Sequence, residues 1–244
     1  MITIKQEKVR LRGIIRSVYK KAGRAINDYN MIENNDRILV GVSGGPDSLS
    51  LLKILLLRKV HLPIDYKIIA CFVDAGFDAE LGPLLEEYFR KENIEYIVKT
   101  IELDKNDINC FWCSWNRRKA LFSAARENNC NKIALAHHLD DISETILMNL
   151  FFHGEISSMR PKIELFKGKL SIIRPFCYLD KKDIQDFCSK FNFPKDNYQC
   201  PYASDSRRAV IKETILRLRK EFPHIRTNIF RALQRRKIKV DYLP

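Results

Sequence analysis

The sequence predicts an α/β protein with a parallel five-stranded sheet covered by helices on both faces. Short apolar runs alternate with longer helical stretches along most of the chain, which is the order expected of repeated βα units. Runs such as RILVGV at 37–42 and KIIACFV at 67–73 are apolar throughout, as is typical of strands buried on both faces. With 244 residues, 45% of them hydrophobic, the chain can bury a large core, and a disordered or collagen-like chain is excluded.

The individual elements follow from local periodicity. Apolar positions at helical spacing predict a basic amphipathic helix within residues 7–32. The later helices are expected between the strands, the first of them directly after a Gly-rich turn at 43–48. The five strands are predicted at 37–42, 67–73, 94–103, 132–137 and 171–176.

We divide the chain into an N-terminal helical region (1–36), the α/β domain (37–176) and a basic helical appendage (177–244). The net charge is +13, and residues 205–239 hold twelve Lys or Arg and three acids. A field of this sign favours a polyanionic partner such as nucleic acid, with an anionic membrane as the weaker alternative. The long apolar run required for a membrane span is missing, so we expect no membrane insertion. Seven cysteines, an odd number, favour a reducing compartment, and we expect a cytoplasmic protein.

The turn Ser43-Gly44-Gly45-Pro46-Asp47-Ser48 has the features of a phosphate-binding loop. Its glycines let the backbone approach an anion, and the helix that follows directs its positive end at the same place. Ser43 and Ser48 can donate hydroxyl hydrogen bonds, and Asp47 can hold a Mg²⁺ ion. The spacing and lysine of a Walker A loop are absent. A glycine pair alone would equally suit an ordinary turn before a capped helix.

Two further strand ends carry candidate site residues. Asp74 ends the second strand and suits nucleoside or metal binding, with a simple turn as the alternative. His137 ends the fourth strand, where nucleotide contact and a packing role are both compatible with its position. Of the two carboxylates that follow, one is expected to cap a helix, and Asp141 is the candidate for Mg²⁺ binding or proton transfer.

The cysteines fall into two groups. Cys110 and Cys113 form a Cys-x-x-Cys pair at the start of a helix, which by itself suits zinc, a redox pair or no ligand at all. Cys200, in a loop before a proline, is a plausible third ligand, and three thiolates could hold a 4Fe-4S cluster with one open iron. The other four occupy apolar strand or helix positions and are expected to be packing residues. They are Cys71, Cys130, Cys177 and Cys188.

Taken together, these motifs resemble one family. SGGPDS at 43–48 is similar to the phosphate loop of the PP-loop ATP pyrophosphatase superfamily, whose members have a Rossmann-like (HUP/PP-loop) fold. The further segments resemble the tRNA 2-thiocytidine synthetases (TtcA), within the TtcA/TtuA group of that superfamily. They are CFWCSWNRRKALFSAARE at 110–127, KIALAHHLDDISETILMNLFFHGEISSMRPK at 132–162, IIRPFCYLDKKDIQDF at 172–187, and Cys200.

The resemblance implies an ATP- and Mg²⁺-dependent enzyme that adenylates the C2 oxygen of a cytidine in the tRNA anticodon loop, expected at position 32, and replaces it with sulfur. It places a 4Fe-4S cluster on Cys110, Cys113 and Cys200. ATP is then expected at Ser43, Gly44, Gly45, Asp47, Ser48, Asp74 and His137, with catalytic roles for Asp47, Asp141, Cys110 and Cys113. The implied partners are tRNA and a sulfur donor such as a cysteine desulfurase, and the resemblance leaves homodimer formation open.

The chain departs from the family at two positions. Pro46 stands where relatives usually have lysine, and Ala203 stands where many have another cysteine. The extra zinc-binding cysteine pairs of the TtuA branch are missing, which favours the cytidine branch. The alternatives are a tRNA 2-thiouridine synthetase, a lysidine-forming tRNA synthetase without a cluster, a small-metabolite amidating enzyme, and a non-enzymatic RNA-binding protein.

Overall fold

The structure is a computed structural model that describes residues 11–102, 110–194 and 207–234. Its elements alternate from β1 to β4 as the sequence predicts. The helices are α1 (Gly13–Asp28), α2 (Pro46–His61), α3 (Leu81–Lys91), α4 (Cys110–Glu127), α5 (Leu139–His153), α6 (Lys181–Cys188), α7 (Arg207–Glu221) and α8 (Ile225–Gln234). The strands are β1 (Arg37–Val42), β2 (Lys67–Asp74), β3 (Tyr96–Thr100), β4 (Lys132–Ala134), β5 (Lys162–Leu165) and β6 (Leu170–Ile173).

The strands form one sheet in the order β3-β2-β1-β4-β6-β5. All neighbouring pairs are parallel except β5 and β6, which form an antiparallel hairpin. The predicted fold class is therefore confirmed, and the sheet has one strand more than the five predicted. The additional strand, Lys162–Leu165, has only four residues and its burial pattern is mixed, so its sequence carries too short a periodic signal to predict a strand.

Both faces of the sheet are buried. Leu39, Ile69 and Cys71 belong to a cluster that also contains Ala124 and Ala125 of α4. Successive side chains of a strand point to opposite faces, so the neighbouring Ile38, Val40 and Ala70, which are also buried, face the other side. That doubly buried arrangement explains why these strands are apolar throughout.

The helices α1, α2 and α6 pack against one another. Lys21 of α1 donates to Asp183 of α6 at 2.6 Å, and Ile184 and Phe187 fix α6 because both are fully buried. α1 begins at Gly13, within the range predicted for the N-terminal helix. Asp180 and Asp183 form a capping box at the start of α6, which holds the first turn of this short helix.

The chain divides into two compact units. The first contains the residues up to His138 and those from Arg160 to Tyr202, and therefore the whole sheet. The second contains Leu139–Met159 and the residues from Ala203 onward, so α5 is grouped with α7 and α8. The predicted boundaries at residues 36 and 176 stay a prediction. Among the described residues, every helix is too short or too polar to cross a bilayer.

Within the second unit, buried polar contacts join α5 to α8. The Ser143 hydroxyl bonds to the Leu139 and Arg226 carbonyl oxygens at 2.8 and 3.2 Å. The buried Arg226 guanidinium forms an ion pair with Asp140. One cation of the basic C-terminal region is thus engaged inside this unit rather than exposed to a partner.

Candidate functional site

The phosphate loop lies between β1 and α2, at the carboxyl edge of the sheet. Gly44 has φ +89°, a left-handed conformation that favours glycine. The Ser48 hydroxyl donates to the Gly45 carbonyl at 2.9 Å and accepts from the Ser43 amide at 3.1 Å, with the Ser43 hydroxyl 3.3 Å away. Ser48 is buried, and these contacts fix the shape of the loop from inside. Helix α2 begins at Pro46, so its positive end lies at the loop.

Asp47, in the first turn of α2, is the charged residue of the loop. Its Oδ2 accepts from Lys181 Nζ at 2.5 Å and lies 3.9 Å from His138 Nε2. Its Oδ1 is buried and accepts no hydrogen bond from the described residues. A buried carboxylate oxygen with an unused lone pair fits a divalent cation, since Mg²⁺ prefers oxygen ligands.

A cavity of about 260 Å³ opens beside this loop. Ser43 and Gly45 line it from the loop, Asp74 from the end of β2, and Cys113 and Arg117 from α4. The parallel strands bring these segments to one edge of the sheet, because their carboxyl ends all point the same way. Four residues predicted from separate motifs therefore line the same cavity. They are Ser43, Gly45, Asp74 and Cys113.

Arg117 is the cation that lines this cavity. It lies one helical turn after Cys113, and its Nε is buried with no acceptor among the described residues. A buried guanidinium donor without an acceptor is unfavourable in the ligand-free protein and favourable once an anion occupies the space. Arg117 and the loop thus form a wall of the cavity that suits an anion.

Asp74 performs two functions in the local structure. Its Oδ1 accepts from the Gly76 amide at 2.8 Å, which forms the strand-end turn, and the residue also lines the cavity. Nearby, Asp78 accepts from the Glu80 and Leu81 amides at 2.9 and 3.3 Å and so caps α3. The turn considered from sequence is present, and nucleoside binding by Asp74 stays a prediction.

His137 lies in the segment between β4, which ends at Ala134, and α5, and it is oriented by an arginine. Arg174 Nε donates to His137 Nδ1 at 3.2 Å, and Arg174 Nη1 donates to the Arg160 carbonyl at 2.6 Å. Burial lowers the pKa of Arg174 to about 10, which still leaves it charged at neutral pH. Because His137 Nδ1 accepts, the neutral imidazole carries its proton on Nε2.

Asp141 belongs to the second unit, in the first turn of α5. Its neighbour Asp140 forms the ion pair with Arg226. Of the two carboxylates considered from sequence, Asp140 therefore has a structural contact, and a role for Asp141 in Mg²⁺ binding or proton transfer stays a prediction.

Burial raises the thiol pKa of four cysteines. Cys71 and Cys177 are fully buried, and burial raises the pKa of both thiols to about 12. Burial also raises the pKa of Cys130 and Cys188. All four are therefore neutral thiols at physiological pH, as expected of packing residues.

Cys113, in contrast, lines the cavity beside the phosphate loop. Cys110 begins α4, and the structure describes its backbone alone, while Cys200 lies outside the described residues. Positions three apart on a helix share a face, so the start of α4 presents both positions of the pair to one side. Within the described residues, three metal-ligating side chains do not converge at any point.

Sequence analysis missed Lys181 and Arg174, which approach Asp47 and His137 from distant positions in the chain. Neither belongs to a local motif, and no periodic signal marks them. The sequence does not predict Arg117 at the phosphate loop either, because it follows the cysteine pair in a different segment of the chain. Its burial beside the loop depends on how α4 lies over the sheet.

A larger cavity of about 800 Å³ lies at the opposite edge of the sheet. Phe122 and Arg126 of α4 line it together with Phe166 and Leu170 of the β5–β6 hairpin. The sequence-predicted site residues are absent from its lining, so the smaller cavity is the candidate site.

Known proteins resemble this chain in sequence and in fold. A family model described as the PP-loop domain matches residues 16–218. The tRNA-cytidine(32) 2-sulfurtransferase of Syntrophotalea carbinolica is 36% identical over 231 residues, which cover 90% of this chain and 89% of that protein. The enzyme of the same name from Hahella chejuensis is 35% identical over 238 residues, covering 94% and 84%.

Among solved structures, the U34-tRNA thiolase NcsA from Methanococcus maripaludis, determined with its [4Fe-4S] cluster, has a similar fold. The TM-score is 0.75 and the identity 22%, with 91% of this chain and 78% of that chain covered. The similarity supports the fold described above.

Proposed function

Since this chain belongs to the tRNA-cytidine(32) 2-sulfurtransferases, a family of PP-loop transferases, we propose that it uses ATP to activate the C2 oxygen of cytidine 32 in tRNA and replaces that oxygen with sulfur. The observation that carries the proposal is the cavity in which Cys113 and Arg117 face the phosphate loop. An anion-binding loop beside a thiol is the arrangement that a coupled activation and sulfur transfer requires.

The activation step uses the loop. The cytidine C2 oxygen attacks the α-phosphorus of ATP, the bond to the β-phosphate breaks, and pyrophosphate leaves with that electron pair. Gly45 and the amino terminus of α2 are placed to bind phosphate oxygens, and the buried Arg117 Nε can donate to one. These groups stabilise the negative charge that develops on pyrophosphate.

Asp47 would hold the Mg²⁺ that accompanies ATP. Its buried Oδ1, which accepts no hydrogen bond from the described residues, supports this assignment. A divalent cation at that position neutralises phosphate charge when it is bound. Asp47 also holds Lys181 at the loop through its other oxygen.

The sulfur step replaces the activated oxygen. A sulfide sulfur adds to C2, and AMP leaves with the former C2 oxygen. Cys110, Cys113 and Cys200 would hold a 4Fe-4S cluster, and thiolate donors are the ligands such clusters take. Bound by three thiolates, such a cluster would supply a site for sulfide. Cys113, inside the cavity, would keep that chemistry beside the activated base.

tRNA binding is supported by exposed groups in each unit. Trp112 and Trp115, on either side of Cys113, are 51% and 50% exposed, and aromatic side chains with exposed surface suit stacking on a base. In the second unit, the exposed basic side chains of α7 suit the phosphate backbone. They are Arg207, Arg208, Lys212, Arg217 and Lys220.

The activity test is thiolation of unmodified tRNA by anaerobically reconstituted protein with ATP, Mg²⁺ and sulfide, followed by mass spectrometry of the nucleosides. We expect 2-thiocytidine from the wild type and none from Cys113→Ala, while Cys113→Ala still binds ATP. Cys130→Ala is the matched control, because that thiol packs in the core. A 2-thiouridine product would move the chain to the uridine branch. Lysidine formed with added lysine by iron-free protein would overturn the thiolation proposal.

The surface test measures tRNA affinity against salt concentration. Arg217→Ala combined with Lys220→Ala should weaken binding and reduce the slope of log affinity against log salt by roughly one for each lost phosphate contact. Glu213→Gln, on the same helix, is the control and should not weaken binding. An unchanged slope in the double variant would remove α7 from the tRNA-binding surface.

A further inference from the structure

The phosphate loop of this chain has no cation of its own. The one charged residue in Ser43–Ser48 is Asp47, which is acidic. ATP and pyrophosphate are polyanions, and backbone amides with a helix dipole supply only partial charges. Arg117 lines the cavity with one full positive charge, and a second one from another part of the fold would balance these anions further.

Lys181 is placed to supply it. This residue begins α6, 134 positions after Asp47, and its Nζ donates to Asp47 Oδ2 at 2.5 Å. The Lys181 side chain is 40% exposed, so the ammonium lies at the rim of the loop and is accessible to a ligand.

The base of Lys181 is held by a rigid element. The capping box at Asp180 and Asp183 fixes the first turn of α6, and Phe187 anchors the helix in the core. The ion pair between Asp183 and Lys21 ties the same turn to α1. The flexible part is the four-carbon stem, which can move the ammonium from a carboxylate to a neighbouring phosphate oxygen without moving the backbone.

The ion pair between Lys181 and Asp47 contributes little to the stability of the fold. Ion pairs with this much exposure contribute at most about 1 kcal/mol to stability. The adjacent Lys182 is exposed as well and provides an internal comparison, because it shares the helix turn and the charge.

We propose that Lys181 supplies a cation that the loop itself lacks and binds the β- and γ-phosphate oxygens of ATP, and then the pyrophosphate that leaves. Asp47 positions the ammonium until the nucleotide and its divalent cation bind. This role rests on the proposed ATP-dependent activation, because it concerns the same phosphate loop.

Equilibrium binding tests the proposal without any turnover. Calorimetry with Mg²⁺ present measures the affinity of the full-length protein for ATP, pyrophosphate and AMP. Lys181→Met should weaken ATP and pyrophosphate binding by about tenfold to a hundredfold, the effect of one charge-assisted hydrogen bond. AMP lacks both outer phosphates, so its affinity should not change.

Three further variants separate charge from structure. Lys181→Arg should keep pyrophosphate affinity within a few-fold of the wild type, and Lys182→Met should leave all three affinities unchanged. Pro46→Lys added to Lys181→Met should restore pyrophosphate binding, because it adds a cation to the loop at the first position of α2.

The outcomes also separate this proposal from the one it rests on. If Lys181→Met binds pyrophosphate as the wild type does, or loses AMP and ATP equally, the role of Lys181 is overturned while ATP-dependent thiolation stands. If the wild type binds neither ATP nor pyrophosphate, both proposals are overturned.

Discussion

The two glycines of the phosphate loop should respond differently to the same substitution. Gly44 has φ +89°, and a Cβ there would lie 2.8 and 2.9 Å from the two Cδ atoms of Leu81. Gly45 has φ −70° and ψ 160°, and its Cβ would meet only Ser43 Oγ, at 3.6 Å. One position is thus strained and crowded, while the other is open and faces the cavity.

The expected magnitudes follow from these distances. In Gly44→Ala the left-handed backbone costs about 1–2 kcal/mol, and the clash with the buried Leu81 side chain costs about 1–3 kcal/mol more. The free energy of unfolding should therefore fall by about 2–5 kcal/mol. In Gly45→Ala it should change by less than about 1 kcal/mol, because the backbone is extended and the contact is an ordinary one. Gly45→Ala should instead weaken ATP binding, since its methyl group enters the phosphate space.

Urea unfolding followed by circular dichroism, together with calorimetric titration of ATP, measures both effects. A Gly44→Ala, Leu81→Ala double variant completes a cycle, because the shortened side chain removes the clash and leaves the backbone strain. We expect a favourable coupling of about 1–3 kcal/mol between the two substitutions. Equal unfolding free energies for Gly44→Ala and Gly45→Ala, or zero coupling, would refute this account of the loop.

Three other perturbations test separate parts of the structure. Arg117→Met should raise the free energy of unfolding of the ligand-free protein by about 1–3 kcal/mol, because it removes a buried donor without an acceptor among the described residues. The same substitution should weaken ATP binding at least about tenfold. Lower stability with unchanged ATP affinity would contradict the role of Arg117 in phosphate binding. Burial raises the pKa of Cys71 and Cys177 from 9.0 to about 12. The stability that their neutral thiols contribute is therefore complete below pH 9 and is lost as the pH rises toward 12. The loss is up to about 4 kcal/mol for each thiol. Urea titrations between pH 8 and 11 should show a steeper fall for the wild type than for the variant with both cysteines changed to alanine, and parallel curves would contradict the burial argument. Arg226→Met should destabilise the second unit by about 3–5 kcal/mol, because it removes the cation that pairs with the partly buried Asp140. Adding Asp140→Asn should recover part of this loss in thermal unfolding. No recovery would show that the loss of the ion pair does not cause the destabilisation.

Much of the fold could be predicted because the relevant signals are local. The apolar runs at β1 and β2 are long enough to mark buried strands, and both lie where they were predicted. β5 was missed because its four residues alternate weakly. Periodicity fixes an element only when several residues repeat the same burial environment.

The grouping of α5 with α7 and α8 also went beyond the sequence. Ser143 and Arg226 are 83 residues apart, yet they share a buried hydrogen bond. Contacts of this kind depend on which faces meet after the helices have formed, and helical periodicity states only which face of each helix is apolar.

The candidate site shows the same division. The sequence alone determined the phosphate loop. A strand, two glycines and a helix follow one another directly in the chain, and the backbone conformation of this short segment sets the geometry of the loop. Only the tertiary structure placed Cys113 and Arg117 in the loop's cavity and Lys181 against Asp47. The physical reason is that the carboxyl ends of parallel strands lie at one edge of the sheet. Residues far apart in the chain therefore meet there, and no local sequence pattern predicts their contact.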